Sequence, residues 1–287
     1  MADRPRFGPA GVPPLFRFLT NSLSDVPGLL REEGLDAFEY EAVRWGKKPQ
    51  IRQGEAEKLA VAAQKSDVWV SMHGSYFINL CGDTEVVEAS KLRLLACAVA
   101  AEWMKAHVLT FHLGYYGNRR KEEVFKDCAR AVEDTLRLLT DHGVESVSLG
   151  FETSGKPTQF GTLTEILDLC ERIEHTQPVL DWAHLHAISK GRLGTSEGFR
   201  RVVEEVERRL GRKVVENLHC HFSKIEFTSR GERRHHILDE KGYGPDFGSF
   251  AEVIADFRLR PVIICETALL DIDALAMRKI LLRKLEA

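Results

Sequence analysis

No two of the six cysteines form a CxxC pair; Cys81, Cys97, Cys128, Cys170, Cys220 and Cys265 are scattered, most of them inside apolar runs. That spacing argues against a disulfide framework and for packed, reduced thiols. Long apolar runs are missing as well. No stretch approaches the roughly 20 residues of a membrane span. The opening MADRPRFGPAGVPPLF has Pro and Gly where a secretory apolar segment would stand, so a cytoplasmic protein with no membrane partner is expected. Charge of one sign is not in excess: 40 basic residues face 43 acidic ones, a net charge of −3, and the field of the whole molecule would not gather a polyanion. Any nucleic-acid partner must be met by a local basic patch. The GPAG near Gly8 is not a GxGxxG dinucleotide fingerprint, and no GxSxG nucleophile motif occurs. Pro/Gly/Ser-rich linkers, internal repeats and low-complexity tracts are absent too.

What is present is an ordinary globular composition, 44% hydrophobic and 29% charged, over 287 residues. Short β-branched runs alternate with stretches of helical period throughout. The strand candidates are RFG at Arg6, LDAFEY at Leu35, VWVSMHG at Val68, HVLTFHLG at His107, SVSLGFET at Ser146, QPVLDWAH at Gln177, VVENLHCHFS at Val214 and PVIICETA at Pro261. About eight such strands close a barrel, and the length suits one barrel of about 250 residues. The expectation is therefore an α/β chain forming a single (β/α)₈ TIM barrel over residues 1–287. EASKLRLLACAVAAEWMK, KEEVFKDCARAVEDTLRLLTDHG, TLTEILDLCERIE, EGFRRVVEEVERRL and DALAMRKILLRKLEA have apolar residues at spacings of three and four, as wall helices should. Thr162 with Glu165, Ser196 and Asp271 stand where helices should start, and Gly143 where one should stop. Lys224 to Phe250 is a long polar stretch after the seventh strand, and a loop of that size in a compact domain is usually functional.

Successive apolar strands end in metal-capable side chains: His73, His112, Glu152, Asp181 with His184, His219 with His221, and Glu266. In a barrel the C-terminal strand ends converge on one face, so these residues share a mouth. A single histidine or glutamate at a strand end is ordinarily a hydrogen-bonded surface group. Six consecutive strands ending this way point instead to a metal cluster. Imidazole and carboxylate without thiolate suit zinc, manganese or iron, and a carboxylate can bridge two ions. Cys220, between His219 and His221, alternates to the other side and is read as packing.

At these residues the chain resembles the endonuclease IV family of apurinic/apyrimidinic endonucleases, within the xylose-isomerase-like barrels. HGSYFINL at His73 carries the resemblance most specifically, with FHLGYYG at Phe111, FETSGK at Phe151, LDWAH at Leu180, HCHFSK at His219 and CET at Cys265. The resemblance implies a zinc enzyme hydrolysing the phosphodiester 5′ to abasic sites in damaged double-stranded DNA, acting as a monomer. It implies a first ion on His73, His112 and Glu152, and a second bridged by Glu152 and completed by Asp181, His219 and Glu266. A third ion would take His184 and His235. The family's aspartate falls on Arg233 in the simplest register, and one inserted residue brings Glu232 into that role. Glu152 is the expected catalytic carboxylate, and Tyr76 and Lys224 the expected substrate contacts. AVRWGKKPQIRQ replaces the family's groove-inserting loop and offers Arg44 and Trp45, with Lys47, Lys48 and Arg52, to phosphates and an unstacked base. Arg119, Arg120, Arg230, Arg233 and Arg234 would extend that rim. The rival reading is a sugar isomerase or epimerase using Mn²⁺ or Mg²⁺ on the same barrel.

Overall fold

The computed structural model describes residues 3–286. Eight parallel strands form the central sheet: β1 (Arg6–Pro9), β2 (Ala37–Glu41), β3 (Trp69–His73), β4 (Val108–Phe111), β5 (Ser148–Glu152), β6 (Thr176–Asp181), β7 (His219–Phe222) and β8 (Val262–Cys265). Their hydrogen-bonded order runs β1-β8-β7-β6-β5-β4-β3-β2, each strand beside its sequence neighbour. The two ends of that order meet. Ala10 bridges Glu39, Asp36 N–H donates to Phe7 O at 3.0 Å, and Gly11 N–H donates to Glu39 O at 2.9 Å. Eight strands with helical crossovers thus nearly close a TIM barrel, as the strand count implied.

Closure explains one glycine. A Cβ on Gly8 would lie 1.7 Å from Ala37 O, so only glycine lets β1 approach β2 this closely.

Helices cover the outside with the faces their periodicity announced. Lys121–Asp141 buries Val124, Cys128, Ala131, Val132, Thr135 and Leu139 and leaves its charged residues in water. Leu163–Arg172 starts with a capping box between Thr162 and Glu165, and the helix Lys121–Asp141 is followed by Gly143 at φ +73°. Two starts fall one residue from expectation: Thr195 precedes the helix Ser196–Leu210, and Asp271 is the first residue of Asp271–Leu285. Trp182 anchors the wall behind β6, its ring centroid 5.0 Å from that of Phe199 and 4.6 Å from that of Phe250. All six cysteines are free, with Cys220 buried among apolar side chains.

Two segments differ from the sequence reading at the C-terminal face. The end of QPVLDWAH is not strand, because Asp181 accepts from His184 N–H and starts a short helix, Trp182–Ile188. The long polar stretch forms an antiparallel hairpin, Lys224–Thr228 with Gly231–His236. Ile225 and Phe227 of that hairpin pack on Ala183 and Ala187, so the short helix and the hairpin support one another.

Candidate metal centre

Strand register sets the layout. Glu41 pairs with His73 across β2 and β3, and Asp181 with His221 across β6 and β7, which levels these side chains at the C-terminal mouth. Glu152, at the end of β5, stands at the centre. Its Oε2 lies 3.2 Å from His73 Nε2 and 3.4 Å from His112 Nε2; its Oε1 lies 3.3 Å from His221 Nδ1 and 3.4 Å from His184 Nδ1. Glu266 Oε1 reaches the same His221 Nδ1 at 3.2 Å. Three groups have ligand geometry: His73 with His112 and Glu152, Glu152 with Asp181, His221 and Glu266, and, deeper in the barrel, Glu39 with His219 and His221.

The ring tautomers show what these groups lack. His73 Nδ1 faces Gly74 O at 2.9 Å, and His184 Nδ1 faces Thr153 O at 2.9 Å. A carbonyl only accepts, so both Nδ1 atoms must carry hydrogen. That leaves the Nε2 lone pair of His73 aimed at Glu152 Oε2, and that of His184 aimed at Glu232 Oε2 only 2.8 Å away. His221 repeats the pattern in reverse. Its Nε2 lies 3.0 Å from Glu39 Oε1, and Nδ1 sits between the oxygens of Glu152 and Glu266. Three neutral imidazoles would each turn a lone pair onto a carboxylate, which is repulsive unless positive charge lies between them. A second ring proton supplies that charge when no cation does. Burial pulls His73 down, yet Glu152 outweighs it and holds the ring at about 10; His184 and His221 are raised well above the usual imidazole range against the same burial, chiefly by Asp181 and by Glu39 respectively.

The carboxylates give the complementary signal. Asp181 is buried with Oδ2 unpartnered, and burial pushes its carboxyl well above the usual range despite His184. Glu266 goes the other way: burial would raise it, but His221 draws it to about 2. Among the described residues, Lys156 is the one basic side chain, apart from histidines, lining the cavity of about 330 Å³ around this centre, and it is engaged by Glu232 Oε1 at 3.1 Å. Imidazole nitrogens and carboxylates facing one another without balancing cations fit divalent metal ions.

The hairpin completes one flank. Glu232, not Arg233, reaches His184, while Arg233 pairs with Glu226 at 2.6 Å. His235 stands edge-to-face on His184 with ring centroids 5.7 Å apart, and its Nδ1 is tied to Ser223 Oγ at 2.7 Å. Gly155 makes room for this contact: a Cβ there would fall 2.2 Å from Glu232 Oε2 and 2.9 Å from His184 Cδ2.

Other expected site residues lie elsewhere. His219 is not among the Glu152 ligand groups. It sits two residues deeper along β7, with Nε2 3.2 Å from Glu39 Oε2 and Nδ1 3.2 Å from His107 Nε2, and His221 takes the place expected for it. Trp45 is only 5% exposed and packs its ring edge-to-face on Tyr40, so it offers no face to a base. Lys224 Nζ donates to Glu240 O at 2.7 Å, in the turn that follows the hairpin, rather than lining the cavity. Tyr76 does line it, 62% exposed and edge-to-face on His73. Arg44, Lys47, Lys48, Arg52, Arg230 and Arg234 are exposed, whereas Arg119 and Arg120 pair with Asp127 and Glu123. Two carboxylates went unread in the sequence, Glu39 and Glu41, although their spacing of two in AFEYE turns both inward.

The chain belongs to the xylose isomerase-like TIM barrel family, whose model matches residues 28–280. A relative in Methanocaldococcus jannaschii, described as an uncharacterized protein, is 32% identical over 95% of each chain. A probable endonuclease 4 of Chlorobium phaeovibrioides is 30% identical over 56% of this chain and 58% of that one. Among solved structures, endonuclease IV from Thermus thermophilus superposes with a TM-score of 0.70 at 20% identity, covering 92% of this chain and 94% of that one. A D-tagatose 3-epimerase-like protein follows at 0.66 and 16%, covering 93% and 94%. The barrel fold is thus shared with two kinds of enzyme. No helix of the described residues is long and apolar enough to cross a membrane.

Proposed function

We propose that this protein is a zinc-dependent phosphodiesterase of the endonuclease IV type, cleaving damaged double-stranded DNA on the 5′ side of abasic sites. The observation that carries the reading is the set of histidine lone pairs turned onto carboxylates around Glu152. It is supported by the sequence likeness to a probable endonuclease 4 and by the HGSYFINL block at His73.

His73, His112 and Glu152 would hold one ion, and Glu152, Asp181, His221 and Glu266 a second; Glu232, His184 and His235 are the candidates for a third. Zinc is the proposed metal, with manganese the alternative for the same ligands. Divalent cations held there supply Lewis acidity toward a phosphoryl oxygen and a nucleophilic water at neutral pH. The chain's own groups do the rest. Glu152 fixes the spacing between the two ligand groups because its two oxygens serve one each. Tyr76, exposed at the cavity mouth, contacts the DNA around the lesion. Arg44, Lys47 and Lys48 meet backbone phosphates, which a net charge of −3 makes necessary.

The test is cleavage of an abasic duplex by the zinc-loaded protein and by Glu152→Gln. Losing an outer partner of a metal ligand already costs about 10–100-fold, so the variant should fall further than that. Full cleavage by Glu152→Gln at normal metal content would remove Glu152 from its role.

One observation favours the second reading, a sugar isomerase or epimerase. Burial raises Glu41 to about 7 against the pull of His73, and Glu41 lines a cavity shared with Tyr76 and Glu266. A carboxyl poised there suits proton abstraction from a sugar carbon. Incubation with a panel of keto-sugars separates the two, since the nuclease reading predicts no conversion.

A further inference from the structure

Below the metal centre the barrel axis is polar where branched apolar side chains usually fill it. Glu39 is fully buried there, facing His221, Ser71 and His219. Its Oε1 lies 3.0 Å from His221 Nε2 in an ion-pair contact, and neither atom has a hydrogen-bond partner. Its Oε2 accepts from Ser71 Oγ–H at 2.8 Å and faces His219 Nε2 at 3.2 Å. His219 Nδ1 continues to His107 Nε2 at 3.2 Å, and His107 Nδ1 to Val70 O at 2.8 Å. This line runs from the metal centre down to the start of β4, where His107 borders a separate cleft with Trp69 and Met104.

We infer that Glu39 is a positioning residue for the metal centre, clamping the His221 ring so that Nδ1 is the nitrogen offered to the second ion, while His219 and His107 brace Glu39 from below. The inference rests on the metal reading above.

Two features support a brace over a further ion site among Glu39, His219 and His221. Each nitrogen of His107 and His219, and each oxygen of Glu39, already faces a polar partner at 2.8–3.2 Å. The arrangement also follows a general rule, that a metal-bound imidazole gives its other N–H to a carboxylate that fixes tautomer and ring orientation. Clamping matters because a ring free to flip would bring Nε2 to the centre. The bridging geometry around Glu152 would then be lost.

The experiment is zinc titration, against a competing chelator, of the metal-stripped full chain and of Glu39→Ala and Glu39→Gln. Glu39→Ala should weaken one ion about 10–100-fold and leave the His73/His112 ion unchanged. Glu39→Gln should lie between it and wild type, because the carboxamide still accepts from His221 Nε2–H without the charge. Thermal melts of the metal-free chains accompany the titration, since a merely structural Glu39 would lower Tm without moving zinc affinity. Nitrogen-15 histidine spectra of the zinc-loaded wild type provide a second test needing no variant, and should show His221 bound through Nδ1 with hydrogen on Nε2. A folded Glu39→Ala that binds every ion like wild type, or zinc on His221 Nε2, overturns this inference alone. A wild-type chain that takes up no zinc overturns it together with the metal reading.

Discussion

His219 and His221 show how far a single residue's role can be read from pattern. Both point inward because a strand alternates with period two, and the sequence supports either as a ligand. Two residues along a strand are about 6–7 Å of depth, enough to separate an ion's ligand from a side chain beneath it. Depth is set by the stagger of neighbouring strands, which pairs His221 with Asp181 and His219 with Val179. No local pattern encodes that stagger. Glu39 escaped notice for a related reason: a carboxylate in an apolar strand reads as an edge residue until the barrel closes around it. The expected outcome of the pair is that His221→Ala loses the second ion while His219→Ala keeps a full ion count, both read by metal analysis of the purified variants. At Gly155 the added methyl of Gly155→Ala would collide with Glu232 and His184. Zinc titration should then show any ion on that flank weakened and the ions around Glu152 retained.

At the scale of elements, the strands were legible as short apolar runs, and helices such as Lys121–Asp141, Leu163–Arg172 and Ser196–Leu210 by an apolar face kept over their length. The capping box at Thr162 was legible as well, and Thr162→Ala should cost about 1 kcal/mol in a denaturant melt. The hairpin was not, since GERRHH has neither apolar alternation nor a two-residue turn motif. Its strand character comes from tertiary support. Glu232 N–H donates to Gly155 O at 2.9 Å, and Ile225 and Phe227 seat on the short helix after β6. Gly231 makes the approach feasible at φ +97°, where a Cβ would fall 2.4 Å from Gly155 O. Gly231→Val should therefore lift the hairpin, destabilising the chain by about 1–3 kcal/mol and withdrawing Glu232 and His235 together. Denaturant unfolding reads the first effect and zinc titration the second.

For the whole molecule, closure of β1 onto β2 brings eight strand ends to one mouth, and it depends on a glycine where the two backbones nearly touch. Gly8→Ala should lower Tm by several degrees, a larger loss than the same change at Gly28, where a Cβ meets nothing within 4 Å. The fold class and most of the centre follow from strand ends counted in sequence. The chemistry needed the barrel, because only there do His73, His184 and His221 reveal lone pairs turned onto Glu152, Glu232 and Glu266. Fold likeness does not choose between a nuclease and an epimerase, since both share the scaffold. The direct test of the central claim is metal analysis of the purified protein coupled to an abasic-duplex cleavage assay on the same sample. The sample should carry at least two zinc ions per chain and nick the duplex 5′ to the abasic site, an activity lost in Glu152→Gln. A fully metal-loaded protein that leaves the duplex intact and converts a keto-sugar would contradict the claim.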